Sequence, residues 1–506
     1  MSRTSNKFAL YVATGRIIAM IAQFAMPFFL TRFLSKDDYG IYAQFYTILI
    51  FVSTILCFGL QSNLYYFYSQ VADNNKPKIV WNNFILMIIF GMVGCVLLLF
   101  PDIRRLLVGD SRLSDYFYLL LICVFLYIPT NLLAPLAVVR NDKCLATFYP
   151  PADIAVKILL VITVAEIWGS LYSIFCAIII LQFLEFLFIY GYILLKYKKV
   201  GLIDTLSIPL LKEQLAYSLP FGGAVILNTL CQRFDKIMCI SYLTVGEYAI
   251  YSLAFFGIPG IMQIYDSICQ VNVTNMANAH KDGNYDKILF LYKRFVIQTL
   301  SFSLPLICIV LVFTPQIILF MFSDKYLSVI PFFRLYILTF IVGMIGCGTI
   351  LRAVGKTRLS LRAFAIATVI YIPIGIFLIQ HFGIWGAMIS ALIGNLLPKM
   401  IQVVYEQKWM GIPFTQYLPW AKIFKLLAVS LLLLLPIGLV TFSLEVNILT
   451  AILLSSIYLI CVYCLEIRFD LFIIEKATVV SMIKTFTIKI LRIKECGKYQ
   501  KIRRKE

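Results

Sequence analysis

Residues 33–43 read Phe-Leu-Ser-Lys-Asp-Asp-Tyr-Gly-Ile-Tyr-Ala, and residues 242–252 read Tyr-Leu-Thr-Val-Gly-Glu-Tyr-Ala-Ile-Tyr-Ser. The second stretch nearly copies the first, and each stands at the first hairpin of a series of apolar spans. A later echo agrees: Ile167-Trp168-Gly169 returns as Ile384-Trp385-Gly386 at a similar offset. The chain is therefore read as a duplication. Within each copy a hydroxyl residue precedes an acid by three positions, Ser35 with Asp38 and Thr244 with Glu247. In that pattern the hydroxyl caps a backbone N–H and the acid reaches back, so a helix is expected to begin at both places.

Working outward, the chain is 61% hydrophobic and only 14% charged over 506 residues. No water-soluble domain hides that much apolar surface, so the class is membrane protein. The first span, Phe8 to Leu30, is expected to be a retained helix, being longer than a signal-peptide core. Apolar stretches cut by short polar turns predict an all-α polytopic protein of about fourteen transmembrane helices. The expected spans are 8–31, 40–64, 79–100, 115–139, 150–166, 170–195, 214–241, 247–270, 291–313, 327–351, 360–380, 384–405, 419–441 and 447–467. Pro101, Pro150-Pro151 and Pro209 mark helix starts or ends. The 13 cysteines lie mostly in apolar stretches, where Cys acts as a small hydrophobe. Cys461 and Cys464 form a C-x-x-C pair inside the last span, expected to pack against a neighbouring helix.

With the N-terminus placed in the cytoplasm, roughly nineteen Lys and Arg fall in inner loops against about six in outer ones. Both termini are thus expected to be cytoplasmic. The net charge of +19 comes from those loops and from the tail, where Lys484, Lys489, Arg492, Lys494 and their neighbours cluster. Val479, Ile483, Phe486, Ile490 and Ile493 recur at steps of four and three, as in an amphipathic helix lying on anionic lipid. Membrane lipids are the partner this implies, and nucleic acid is not, since no recognition module accompanies the charge.

Six helices per copy send both halves into the membrane in the same direction, so the expected relation is a pseudo-two-fold axis along the membrane normal. The expected division is an N-terminal six-helix lobe over 1–200 and a C-terminal six-helix lobe over 201–410. Two additional helices over 411–467 and a basic cytoplasmic tail over 468–506 complete it. Two copies of one bundle leave a cleft between them, the construction of alternating-access transporters.

The hairpin pair, Tyr217-Ser218-Leu219-Pro220-Phe221 ahead of Phe234-Asp235-Lys236, and Ile350-Leu351-Arg352-Ala353-Val354-Gly355-Lys356 together resemble the polysaccharide-export family. This is the Wzx-type branch of the MOP superfamily, flippases of O-antigen and other polysaccharide repeat units. The resemblance covers about residues 8–410. It implies a V-shaped cavity that opens alternately to either side. Through it an undecaprenyl-pyrophosphate-linked oligosaccharide would cross from the cytoplasmic to the periplasmic leaflet of a bacterial inner membrane, for O-antigen, capsule or exopolysaccharide synthesis. A proton or sodium counter-ion, a polysaccharide polymerase and a chain-length regulator are the partners it suggests. The alternatives within the superfamily are a MATE-type multidrug cation exporter, which needs an acid-dominated cavity, and a lipid II flippase, which shares the cationic one.

Such cargo needs cations for pyrophosphate and amides or hydroxyls for sugar, and every intramembrane charge is a functional candidate. Arg16, about 12 Å into the first span, suits a pyrophosphate or snorkels to inner headgroups. Asp153 and Lys157 stand one helical turn apart, either pairing with each other or serving transport, Lys157 as a substrate contact and Asp153 in ion coupling. Arg233 is the stronger cavity candidate beside Asp235-Lys236, for which the resemblance favours a structural or gating role. Arg334 and Lys399 complete the cationic set, with Asn228, Gln232 and Asn395 as polar lining. Glu185, near mid-span with no base within a turn, is the candidate ion-coupling site together with Asp153, or else the partner of Lys157.

Enzyme chemistry finds no support. Only two histidines occur, His280 and His381, and no metal-ligand or nucleophile–base spacing appears. Gly355-Lys356-Thr357 lacks the upstream glycine of a P-loop, the position holding Ile350. No cofactor is expected.

Overall fold

The computed structural model describes residues 18–19, 22–109, 112–197, 208–257, 261–443, 446–469 and 471. These residues are overwhelmingly helical, with no strand among them. In chain order the helices are α1 (Ala25–Phe33), α2 (Lys36–Leu56), α3 (Leu60–Gln70), α4 (Lys76–Leu99), α5 (Pro101–Val108), α6 (Phe117–Thr130) and α7 (Leu133–Val139). There follow α8 (Lys143–Trp168), α9 (Leu171–Lys196), α10 (Ile208–Tyr242), α11 (Val245–Ala254), α12 (Ile261–Lys281) and α13 (Tyr285–Val312). The remainder are α14 (Thr314–Phe322), α15 (Ile330–Met344), α16 (Thr349–Ala353), α17 (Thr357–Met410), α18 (Phe414–Tyr417), α19 (Trp420–Ser443) and α20 (Ile448–Arg468).

Nine of the described helices are long and apolar enough to cross a membrane. One of them, α17, carries the expected spans 360–380 and 384–405 as two helical segments that meet at a break at Gly383, whose φ of 55° and ψ of −132° suit glycine alone. Helices α8, α10 and α12 have comparable length, and α8 and α10 carry five of the charges read from the sequence, Asp153, Lys157, Arg233, Asp235 and Lys236. The amphipathic segment expected at 479–493 and the Arg16 site lie outside the described residues.

Both predicted caps form. Ser35 accepts from the Asp38 amide at 3.1 Å and donates to its carboxylate at 2.6 Å. Thr244 and Glu247 close a full capping box. Each cap satisfies helix-terminal N–H groups that hydrocarbon could not.

The chain folds as two compact units. The first comprises residues up to Met262, Phe313–Val342 and Gly355–Glu406. Within it the two motif copies pack on each other, α2 against α11. The approach is close because the positions are small: a Cβ on Gly40 would collide with the Val245 carbonyl, and one on Gly246 would come within 3.0 Å of Asp37 Oδ1. The Tyr248 hydroxyl donates to Thr47 Oγ1 at 2.8 Å across the same seam.

A second pair of contacts is reciprocal. Arg32, just before the first motif, donates to the Phe320 carbonyl at 2.5 Å and the Met321 carbonyl at 3.2 Å, near the end of α14. Ser241, just before the second motif, donates to the Leu106 carbonyl at 3.1 Å, near the end of α5. Each copy thus supplies a donor to the C-terminal carbonyls of a short helix in the other, where positive or donating groups are favoured.

The second unit comprises Gln263–Val312, Gly343–Val354 and the chain from Gln407. Its core joins α13, α19 and α20 through Cys308, Tyr458 and Val462, flanked by Leu433 and Ile437. Tyr458 donates to the Ser430 carbonyl at 2.9 Å. The buried stripe of α20 is Tyr458, Val462 and Glu466, spaced by four. Cys461 and Cys464 fall off that stripe and are exposed, which corrects the expectation that they pack against a helix.

Candidate functional site

Asp153 and Lys157 sit four residues apart on α8, which puts them on one face, and the Lys157 ammonium meets Asp153 Oδ1 at 2.7 Å. On the packed helix α9, Glu185 turns toward the same ammonium and reaches it at 3.0 Å. One cation therefore serves two carboxylates, all three side chains being less than a fifth exposed. The arrangement carries one more acid than base. Held together, these charges offset part of the cost of burying one another.

The triad opens into a cavity of about 450 Å³ within the first unit. Its wall is polar where the helices break. Between α6 and α7 the chain turns at Asn131–Leu132, and Thr130 Oγ1 and Asn131 Nδ2 both donate to the Tyr127 carbonyl, at 2.8 and 2.7 Å. Opposite, Pro150 and Pro151 interrupt the N–H ladder of α8 one turn before Asp153. Irregular backbone within a membrane is tolerated where it lines a cavity, and Thr130, Asn131 and Pro150 all stand on this cavity's wall. Gln23, Gln61, Tyr65 and Tyr149 complete the lining.

Of the sequence-predicted residues, Lys157, Asp153 and Glu185 are brought together in this cavity. The other described candidates stand elsewhere in the first unit. Arg233 is half-buried on α10, and on the same helix the Gln232 amide donates to Asn228 Oδ1 at 3.1 Å. Asn395 and Lys399 are half-buried one turn apart in α17, and Arg334 is exposed on α15. Arg16 lies outside the described residues.

Asp235 is buried, and the Tyr251 hydroxyl donates to its carboxylate in a short hydrogen bond. Tyr251 belongs to the second motif copy, so the duplication itself supplies the partner. Lys236 packs over the Phe255 ring at 5.1 Å.

Two buried groups escaped the sequence reading. Asn63 donates to the Gln214 carbonyl at 2.8 Å and to Ser218 Oγ at 3.0 Å, tying α3 to α10. In the second unit Glu466 accepts from Ser301 at 2.6 Å. Glu466 sits near the end of a span, where a charge reads as interfacial. The four-residue spacing from Tyr458 and Val462 was the available signal for an inward face.

The arrangement of long apolar helices is shared with solved membrane transporters. It matches the lipid II flippase MurJ in an inward closed conformation, with a TM-score of 0.67 and 17% identity, covering 91% of this chain and 98% of that one. It also matches an inward-facing multidrug resistance MATE transporter of the MOP superfamily, with a TM-score of 0.58, 15% identity, and 80% and 98% of the two chains covered. A third match is a MOP superfamily transporter from Pyrococcus furiosus described by a reversed polarity of its binding pocket, at 0.53 and 17%, covering 80% and 96%. The chain is thus a multi-pass membrane protein with the MOP transporter fold. By sequence it belongs to the polysaccharide biosynthesis protein family, matched over residues 29–331. No curated relative matches it by sequence.

Proposed function

We propose that this protein is a flippase that carries an undecaprenyl-pyrophosphate-linked oligosaccharide repeat unit from the cytoplasmic to the periplasmic leaflet of a bacterial inner membrane. The family match carries this reading: a polysaccharide biosynthesis protein with the MOP transporter fold has a lipid-linked sugar as its natural cargo. The reciprocal contacts at Arg32 and Ser241 support two pseudo-two-fold related lobes, the expected geometry for alternating access.

Within that cycle Arg16, Arg233, Arg334 and Lys399 are the proposed contacts to pyrophosphate, with Asn228, Gln232 and Asn395 toward sugar. The Asp153–Lys157–Glu185 triad is the proposed coupling centre, where its excess acid takes up a proton or sodium ion. Lys157 then balances two carboxylates and leaves the pyrophosphate to the arginines. The inner loops and both termini face the cytoplasm by the distribution of Lys and Arg.

The test replaces Arg16, Arg233 and Arg334 singly with Ala and follows surface-glycan display and the leaflet in which the lipid-linked intermediate accumulates. Loss of display with the intermediate held in the inner leaflet is expected. Normal expression and parental export from all three variants would end the phosphate assignment. A lipid II flippase would instead show arrested cell-wall synthesis with glycan display intact.

A further inference from the structure

We infer that the second unit holds a binding site for an anionic bilayer phospholipid. A cavity of about 750 Å³ opens there between the second to fourth turns of α13 and the start of α19. Lys293 and Arg294 line it from α13, and Lys422 from the first turn of α19. Among the described residues none of these three cations forms an ion pair with a carboxylate, so the charge they concentrate is uncompensated by the protein.

The rest of the wall fits the remainder of a lipid. Ile297 and the exposed Phe290 offer apolar surface beside the cations. The Trp420 indole is fixed in place: its N–H donates to the Phe414 carbonyl at 3.3 Å, and its ring meets Phe414 at 5.2 Å and Phe424 at 6.2 Å. An aromatic so held beside three cations is the composition of a headgroup-level site. The start of α19 adds the partial positive charge of a helix N-terminus at Pro419–Lys422. Basic pockets between membrane helices on the cytoplasmic side select acidic headgroups in this way. A volume of this size admits a headgroup and the upper part of its chains.

The inference rests on the proposed orientation, which puts the loops before α13 and α19 in the cytoplasm. It does not require the cargo reading. A lipid in this position would brace α13 against α19, the helices that build the core of the second unit.

The test uses full-length protein in nanodiscs and its own tryptophan. Brominated phosphatidylglycerol and brominated phosphatidylcholine are compared as quenchers, and the Trp420 signal is taken as the difference between the parent and Trp420→Phe. Stronger quenching by the anionic lipid is expected. Single Lys293→Gln, Arg294→Gln and Lys422→Gln changes should each lower that preference about fivefold. Equal quenching by both lipids would overturn the site. So would displacement by a polyprenyl pyrophosphate but not by unlabelled phosphatidylglycerol, which would make it a cargo site. Quenching is read without export, so a failed flippase reading leaves a distinct signature: lipid preference intact while glycan display does not depend on the protein.

Discussion

The two copies of the hairpin motif, beginning at Phe33 and Tyr242, share a backbone and differ in chemistry. Ser35 and Thr244 both cap a helix, and Arg32 and Ser241 both donate to a helix end in the other copy. Divergence begins two turns later. Tyr251 donates to the buried carboxylate of Asp235. Its counterpart Tyr42 lies parallel to the Phe175 ring at 6.5 Å and finds its polar partner in Tyr46. Across the 209-residue offset from Phe33 to Tyr242, the position matching Asp235 holds Met26. The first copy instead places its charges at Asp153, Lys157 and Glu185, along a cavity. The seam keeps its path in both copies while the acids differ in place: Asp235 is buried against Tyr251, and Asp153 and Glu185 line a cavity.

The largest expected effect tests the open site. Lys157→Met strands two carboxylates at membrane depth and should cost about 3 kcal/mol, seen as a lower unfolding temperature in detergent. Neutralising all three, with Asp153→Asn and Glu185→Gln added, should restore most of the stability while export stays lost. If Lys157→Met alone unfolds like the parent, the triad is not a mutually dependent charge cluster and the contrast between the copies collapses.

The seam comes next. Gly40→Ala pushes a Cβ into the Val245 carbonyl and is expected to cost about 2 kcal/mol, since backbone cannot yield as a side chain can. The matching position, Ala249, already carries a Cβ, so Ala249→Gly should cost only about 1 kcal/mol. Thermal unfolding of the pair checks both. Equal losses would mean that the seam is symmetric in packing as well as in path.

How much of this was legible follows from how local each feature is. The caps needed only three residues of sequence, and both form. The Asp153–Lys157 pair needed four, because one helical turn fixes it. Glu185 could not be assigned to Lys157 over a free role, since that depends on the rotation of α9 against α8, set by packing along the whole helix. The same holds for Tyr251 and Asp235, sixteen residues apart on helices joined by the second hairpin. Hydropathy also placed the eleventh and twelfth spans on either side of residues 381–383, and the helix breaks there, at Gly383, whose backbone angles leave the helical range. Glu466 was passed over because its burial comes from α13, distant in sequence.

Tyr251→Phe and Tyr42→Phe sharpen the comparison at identical motif positions. Removing the donor to buried Asp235 leaves a carboxylate short of a partner and should cost about 2 kcal/mol. Removing the hydroxyl of Tyr42 breaks a neutral pair and should cost about 1 kcal/mol. Denaturant or thermal unfolding in the same detergent reads the difference, and a larger loss at Tyr42 would reverse the assignment of which copy buries the more demanding group.

The smallest effects lie in the reciprocal contacts. Arg32 joins two carbonyls of α14 and, at 2.5 Å, that of Phe28 in its own helix, while its guanidinium rests on the Phe28 ring at 3.7 Å. Charge-assisted bonds exceed neutral ones, but the side chain is exposed, so Arg32→Ala should cost about 1 kcal/mol. Ser241→Ala removes one neutral bond and should cost about 0.5 kcal/mol. The two contacts involve opposite copies, so hydrogen exchange near α14 and α5 separates them: Arg32→Ala should loosen α14 alone, and Ser241→Ala α5 alone. Loosening of both helices by either change would mean that the two contacts act as one coupled closure and not as two independent ties.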